Sequence, residues 1–571
     1  MKNRFNTTIV LALVATAAMA VPAKRGLWRT LRLVDGTEVR AQRMGDERTR
    51  FWMSDNGLRL TLADGGTAQV LTKKVLSERL AKRTTRRTLA QGALKTPQRV
   101  AWGERTSYLG RKKGLVILVE YADVKFKAAN TLAKYKRILN ETGYKTSEGF
   151  QGSVADYFRE QSEGQFNIEF DVVGPYTLKY DRKYYGANIG DDDQAAEEMI
   201  VEACRQADAE VNFKDYDWDG DGEVDQVFVL YAGTGEADSY DDDAVWPHMY
   251  ELMETDRQMW LDGVLINTYA CSNEVDMYGH IEGIGCFCHE FSHCMGFPDF
   301  YDINYEGNFG MSSFDLMEGG AYNADGFVPA GYSAYEKMMC GWREPIELKD
   351  SLVVENLLPM SEGGTGYIIY NKAHPDEYYM LENRQQTGWD AGLPAKGLMI
   401  THVDFDPAIW EYNIPNTMLD ENSEDVRKYG YPTNDHQRMT IFHADNDDDS
   451  KYWISRRGYY TKETLATDLY PSLGNDSLTN HSLPAATLYN VNTDGSLLMN
   501  VAITDIRQNG DGTMGFRFSV RATAEPDDIT PIQDSQQAIR DEKTYDLSGR
   551  RMQSPFSKGI RIVNGKKIVV Q

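Results

Sequence analysis

His289 and His293 stand four residues apart, with Glu290 directly after the first, in the run His289-Glu290-Phe291-Ser292-His293. On a helix, positions i and i+4 lie one above the other on one face, so both imidazoles can bind a single zinc ion. Zinc held there would acidify a water molecule. Glu290 is placed to take its proton as general base and to pass it to a leaving amine as general acid. The run continues Cys294-Met295-Gly296-Phe297-Pro298-Asp299. Gly296 can end the helix in a left-handed turn, which brings Asp299 back as a third ligand. Three protein ligands leave a position open, which marks a catalytic rather than a structural site. A structural site on Cys286 and Cys288 is disfavoured, because they lie too close to His289 to be the usual separated ligand pairs.

A second group of oxygen ligands lies upstream. Asp217, Asp219, Asp221, Glu223 and Asp225 are spaced like the start of an EF-hand loop, with Gly222 at the sharp turn. The bidentate Glu of position 12 is missing, since Phe228 stands there. The expectation is a truncated Ca²⁺ loop feeding a strand, against the alternative of a solvated acidic turn. Asp241-Asp242-Asp243 and Asp447-Asp448-Asp449 lack the spacing and read as solvated.

The elements that must position these groups alternate. Leu115–Tyr121 and Gln226–Tyr231 are continuous apolar runs, read as buried strands. Ser153–Gln161 reads as a helix, as does Lys73–Lys82. Asp191-Asp192-Asp193 suits the positive end of a longer helix through about Ala209. Gly285–Phe297 is the helix of the chemistry. This pattern predicts an α/β (α+β) domain over 114–346. Beyond 350 strand-like runs recur: Gly366–Tyr370, Tyr378–Leu381, Leu398–Val403 and Met439–Phe442. A hairpin over Ile503–Phe518 turns at Asn509-Gly510-Asp511-Gly512. Residues 347–522 are expected to form an all-β accessory domain, a sandwich being the candidate form. Residues 523–542 read as a polar, Pro-containing linker, and 543–571 as a small β unit with a turn at Asn564-Gly565.

Composition and charge set the compartment. The 571 residues have ordinary globular composition, and no apolar stretch reaches the ~18 residues of a membrane span. Residues 1–20 read as a signal peptide: Lys2 and Arg4, an apolar run Ile9–Ala18, then Ala18-Met19-Ala20 as cleavage site. Residues 21–113 carry a net charge of +14 and residues 114–571 a net charge of −41. A basic segment followed by an acidic body is expected to dock on it, and the acidic body argues against a nucleic-acid partner. With exposed basic loops, 21–113 reads as a removable prosegment, Arg99, Arg105 and Lys113 being candidate cut sites. It holds no cysteine, so a thiolate cannot silence the zinc; Asp55 is a candidate to do so, or the segment simply covers the cleft. The six cysteines of the chain serve equally well as buried thiols or as bridges.

His289–Asp299 resembles the metzincin pattern HExxHxxGxx(H/D). The stretches GLVILVEYADVKF (114–126), SVADYFREQSEGQF (153–166), DWDGDGEVDQVFVLYAG (217–233), CHEFSHCMGFPDFYD (288–302), SSFDLMEGGAYN (312–323) and GYSAYEKMMCGW (331–342) resemble the M6 peptidases of the immune inhibitor A family. The resemblance covers about 114–345 and implies a secreted or cell-surface zinc endopeptidase acting on proteins or peptides, made as a zymogen. It places Met317 in a tight turn beneath the metal, with Met311 as the alternative. It also suggests Tyr322 as a donor to the tetrahedral oxyanion, although relatives with such a tyrosine carry it two residues after the methionine rather than five. His248 reads as a structural histidine or as part of the cleft wall. The segment 543–571 resembles the sorting tail of type IX secretion cargo, which would make that machinery a partner. The alternative function is an adhesin or glycan-binding protein with a degenerate peptidase domain.

Overall fold

The computed structural model describes residues 19–47, 50–62, 67–71, 108–189, 192–239, 241–255, 257–448 and 462–520, and the strand residues 544–545, 559–563 and 566–570. The expected helix at 73–82, the apolar part of the signal sequence, the linker and the Asn564-Gly565 turn lie outside them.

The domain that carries the motif is built on a five-stranded sheet: β1 (Gly110–Glu120), β2 (Phe166–Thr177), β3 (Val227–Thr234), β4 (His248–Glu251) and β5 (Thr268–Val275), in the order β4-β5-β3-β1-β2. Neighbours among β5, β3, β1 and β2 run parallel, while β4 pairs antiparallel with β5 at one edge. Helices cover both faces, which is why the apolar runs of β1 and β3 are continuous rather than alternating. Leu115, Ile117 and Val119 pack against Met199 and Ile200 of the helix Ala196–Ala207. Val116, Leu118 and Phe228 face Phe287 and Phe291 of α1 (Gly285–Cys294), the motif helix. The rings of Phe228 and Phe287 stack at 3.8 Å. At the start of α1 a Cβ on Gly285 would meet the Ala321 carbonyl oxygen at 1.9 Å, so only glycine lets the helix press on the turn that follows Met317.

Two expectations are corrected here. The longer helix does not open at the acidic run: Asp192–Asp193 pairs as a short strand with Asn188–Ile189, and the helix begins at Ala196. The Asp193 carboxylate instead accepts from the Trp246 backbone N–H and pairs with Arg50, a tertiary contact that outweighs a helix-end preference. Nor is Asp241–Asp243 simply solvated, for Asp241 pairs with Arg182, Asp242 with Arg43 and Asp243 with Lys183.

The N-terminal segment forms its own antiparallel sheet of Trp28–Arg32, Glu38–Gly45, Arg50–Ser54, Arg59–Leu62 and Ala68–Val70. It docks by charge, as its composition suggests. Arg43 and Arg50 both reach the buried Glu236, and Arg50 also lies 3.2 Å from Asp193. Asp55 sits exposed in a turn of this sheet, so it does not silence the metal site. The expected boundary at 113/114 falls inside β1, whose Lys113 pairs in register with Glu169, so a cut at Lys113 would sever a sheet strand.

Beyond residue 346 two sheets face each other. One holds Ile346–Glu347, Tyr367–Tyr370, Glu377–Arg384, Gly397–Asp404 and Met439–Ile441. The other holds Leu352–Leu357, Met514–Val520, Val501–Gln508 and Leu478–Thr479. Ile369, Leu381, Ile400, Ile503 and Phe516 fill the space between them. The region is not purely β, since short helices at Pro407–Glu411, Glu424–Tyr429 and Lys462–Leu465 interrupt it. It is also not a loose appendage. Ile368, Met380 and Met399, on the other face of the first sheet, belong to the same apolar core as α1. The fully buried Arg384 bonds Asp390, Glu382 and the Gly331 carbonyl, tying that sheet to the loop before the last helix of the catalytic half. Stripping one partner from such a buried ionic group costs roughly 3–5 kcal/mol. In the C-terminal tail, Gly559–Val563 and Lys566–Val570 form the expected hairpin, with Thr544–Tyr545 as a third strand. All six cysteines are free thiols. Among the described residues no helix is long and apolar enough to cross a membrane.

Candidate functional site

The motif folds as its spacing demands. α1 ends at Cys294, and Gly296 then turns the chain at φ +93°, its N–H bonding the His293 carbonyl. His289 Nε2 and His293 Nε2 lie 3.0 Å apart, and Asp299 Oδ1 lies 3.2 and 3.3 Å from them. All three residues are buried. Their other polar atoms are spoken for. His289 Nδ1 lies 2.8 Å from the Leu316 carbonyl and His293 Nδ1 2.6 Å from the Phe297 carbonyl, so the ring protons sit there and the Nε2 lone pairs point inward. Asp299 Oδ1 receives no hydrogen bond in this structure.

Three lone-pair donors facing one another in a dry core repel unless a cation lies between them. Ligands roughly 2.0–2.1 Å from one zinc at tetrahedral angles stand about 3.3 Å apart, which the observed triangle matches. Two imidazoles and a carboxylate suit zinc, and the residues present therefore fit that ion. Burial lowers the basicity of His289, which favours the neutral ring a metal needs.

The sheet region beyond 346 completes the site. Asn413, just past the helix Pro407–Glu411, donates from Nδ2 to Asp299 Oδ2 at 2.8 Å and accepts the Asp299 backbone N–H at 2.6 Å. This double bond fixes the carboxylate so that Oδ1 alone faces the histidines. Asn413 holds φ +57°, a left-handed conformation that asparagine tolerates better than most residues. Sequence spacing could not find it, for it lies 114 residues from its partner.

Met317 is fully buried, its N–H bonded to Asp315 Oδ1, and its carbonyl accepts the Phe300 N–H. The preceding Leu316 carbonyl holds His289. Met317 thus occupies the turn directly behind the ligands, and Met311, also buried, lies further along the same loop. His248, on the edge strand β4, is structural: its ring bridges the Trp246 carbonyl and Tyr269 Oη, and burial pulls its pKa down to about 4.

The cleft in front of the ligands is filled by the chain's own residues 19–25. Met19 pairs antiparallel with Met249 of β4 through two backbone bonds. The Val21 N–H donates to Glu290 Oε1 at 2.7 Å. Trp246 Nε1 donates to the Val21 carbonyl and Tyr322 Oη to the Pro22 carbonyl at 2.8 Å. Lys24 N–H bonds the Ala237 carbonyl, and its ammonium lies 3.5 Å from Asp325. Arg25 pairs with the buried Glu318. Glu290 is fully buried under this segment, and desolvation pushes its pKa well up. Tyr322 therefore does line the cleft, but it meets a carbonyl one residue beyond the one next to Glu290's partner.

Of the five acidic residues upstream, Asp217, Asp219 and Asp225 bring carboxylate oxygens together, half-buried or exposed. Asp221 and Glu223 are not in that group. Asp221 accepts the Glu223 N–H, and Glu223 accepts from Thr268 Oγ1.

Replacing Asn413 by Ala should leave the fold intact and weaken zinc binding about 10–100-fold, the usual cost of losing a group that orients a ligand. Competition of the purified variant with a zinc chelator measures this; unchanged affinity would show that Asp299 needs no such support.

Comparison with known proteins agrees with the geometry. Residues 103–342 match the family model described as immune inhibitor A peptidase M6, catalytic domain. Immune inhibitor A of Bacillus thuringiensis subsp. alesti is 25% identical over 279 residues, covering 40% of this chain and 39% of that protein. The pre-pro-metalloprotease PrtV of Vibrio cholerae serotype O1 is 26% identical over 214 residues, covering 32% of this chain and 23% of that protein. The chain thus spans well under half the length of these relatives. Two histidines and an aspartate on one buried triangle, with a glutamate beside them, fall within the residues that match the peptidase M6 catalytic domain of the immune inhibitor A family.

Proposed function

We propose that the chain is a secreted zinc-dependent endopeptidase made as a zymogen, with His289, His293 and Asp299 as metal ligands and Glu290 as general base and acid. One observation carries this reading: an extended stretch of polypeptide pairs with the edge strand β4 and sets a peptide N–H on Glu290, the residue next to the first ligand. Bound zinc would supply Lewis acidity toward a carbonyl or a water molecule. The rest falls to the protein. The edge strand β4 and the donors Trp246 and Tyr322 align an extended chain, as they align residues 19–22. Glu290 touches the peptide nitrogen of that stretch, the place for a group that must take a proton and give it to the leaving nitrogen.

The same contacts supply latency. Residues 21–25 exclude any other chain from the cleft, and the basic N-terminal sheet is held by Glu236 and Asp193. Export with cleavage after Ala20 would leave a free α-amino group on Val21, at Glu290. Residues 1–20 are the signal peptide, the segment between it and β1 (Gly110–Glu120) the inhibitor, and 347–522 an accessory unit. Protein lacking the N-terminal segment should hydrolyse casein, the untrimmed protein should not, and Glu290→Ala should lower the rate of the trimmed form by about 10³-fold with zinc retained. Equal rates for trimmed and untrimmed protein would remove the latency, and an undiminished Glu290→Ala would remove the mechanism.

Two narrower parts of the reading concern the upstream acidic loop and the C-terminal hairpin. The carboxylates of Asp217, Asp219 and Asp225 are proposed to hold a structural Ca²⁺, with Asp221 and Glu223 shaping the loop. Calorimetric titration giving no heat with Ca²⁺ would reject this. The hairpin at 559–570 is proposed to address the chain to type IX secretion. Undiminished export of a chain ending at 542 would reject that.

A further inference from the structure

One peptide bond in the cleft is gripped at both of its polar atoms. The N–H of Val21 donates to Glu290 Oε1 at 2.7 Å, and the carbonyl oxygen of the same bond, that of Ala20, accepts from Tyr301 Oη at 2.8 Å. The chain around it is extended: Met19 is paired with the edge strand on one side, and the Val21 and Pro22 carbonyls are held by Trp246 and Tyr322 on the other. Residues 19–22 therefore show where a substrate's backbone lies, and the Ala20–Val21 bond shows where its reacting bond lies.

Hydrolysis of that bond makes two demands. Water adds to the carbonyl carbon, so negative charge gathers on the carbonyl oxygen. The C–N electron pair then leaves with nitrogen, which must take up a proton. The proton lost by the water can travel through Glu290 to nitrogen, because Glu290 already touches that atom. The oxygen needs a donor that strengthens its bond as the charge grows.

We propose that Tyr301 is a catalytic residue, its hydroxyl donating to the carbonyl oxygen of the scissile bond and to the oxyanion that forms there. This rests on the endopeptidase reading above. The phenol keeps its proton throughout, so the step consumes only water and involves no oxidation or reduction. Tyr322, the tyrosine that the sequence singles out, holds the Pro22 carbonyl, two peptide units further along, and is left to align the chain.

The position of Tyr301 is tightly determined. It lies two residues beyond Asp299, which Asn413 clamps, and the intervening Phe300 is bonded through its N–H to Met317 and through its carbonyl to Asn416. Its ring packs on Tyr305 at 5.6 Å. In the covered state its oxygen also lies 3.2 Å from Asp46 Oδ2. A hydroxyl has one proton to donate, and the Ala20 oxygen is the nearer acceptor. Asp46 belongs to the N-terminal segment and leaves with it.

The test compares Tyr301→Phe and Tyr322→Phe with the parent, each as the processed enzyme. Phenylalanine keeps the packing and deletes only the hydroxyl. Tyr301→Phe should lower kcat by about 10²–10³-fold with KM within a few-fold. Its zinc content should match the parent. Its calorimetric affinity for a phosphinic peptide, whose tetrahedral oxygens mimic the oxyanion, should fall in parallel. Tyr322→Phe should act mainly on KM. Unchanged kcat and phosphinate affinity in Tyr301→Phe would overturn the proposal, as would loss of zinc, which would make Tyr301 a support of the metal site instead. A parent that turns over nothing would count against the endopeptidase reading, and the phosphinate measurement would still decide the role of Tyr301.

Discussion

Two imidazole nitrogens and one carboxylate oxygen meet in the dry interior with their lone pairs converging, and only a cation reconciles them. The rest of the structure is arranged around that constraint. Each histidine is turned by a backbone carbonyl on its far nitrogen, and the aspartate by Asn413 on its far oxygen. These three restraints come from three places: the turn at Met317, the turn after α1 and the region beyond residue 346. The sheets downstream are therefore part of the site's architecture. Their shared apolar core with α1 and the Arg384 strut keep Asn413 in place.

The acidic body has a second consequence. Asp193 and Glu236 are buried carboxylates whose pKa values desolvation raises, Asp193 to about 8, against the pull of Arg50 and Arg43. The cations that stabilise their charge belong to the N-terminal segment. Were that segment removed, as the proposed zymogen requires, water and protons would have to take over their role. The segment is thus held by electrostatics at its sheet and by backbone hydrogen bonds in the cleft, two different forces on two faces of one element.

Much of the site was legible because its information is local. The i, i+4 histidines, Gly296 and Asp299 lie within eleven residues, and helix and turn geometry alone bring them together. The buried strands were legible from apolar runs too long to alternate. What escaped was long-range. Asn413 meets Asp299 across 114 residues. The contact of Tyr301 with Ala20 spans 281 residues, and the sequence offered only Tyr322, through its nearness to Met317. The acidic runs misled for a related reason: Asp193 and Asp241–Asp243 carry helix-end or solvent signals, yet they are claimed by arginines and lysines distant in sequence. The N-terminal residues offered a charge clue to docking but none to their path through the cleft.

The most direct measurement is the zinc content of the full-length protein after exhaustive dialysis, together with that of an Asp299→Ala variant. The account predicts one tightly held zinc per chain in the former and a large loss in the latter, with the sheets of both still folded by circular dichroism. A full-length chain that folds and binds no zinc, or an Asp299→Ala variant that keeps it fully, would contradict the claim that these three buried donors exist to hold a metal.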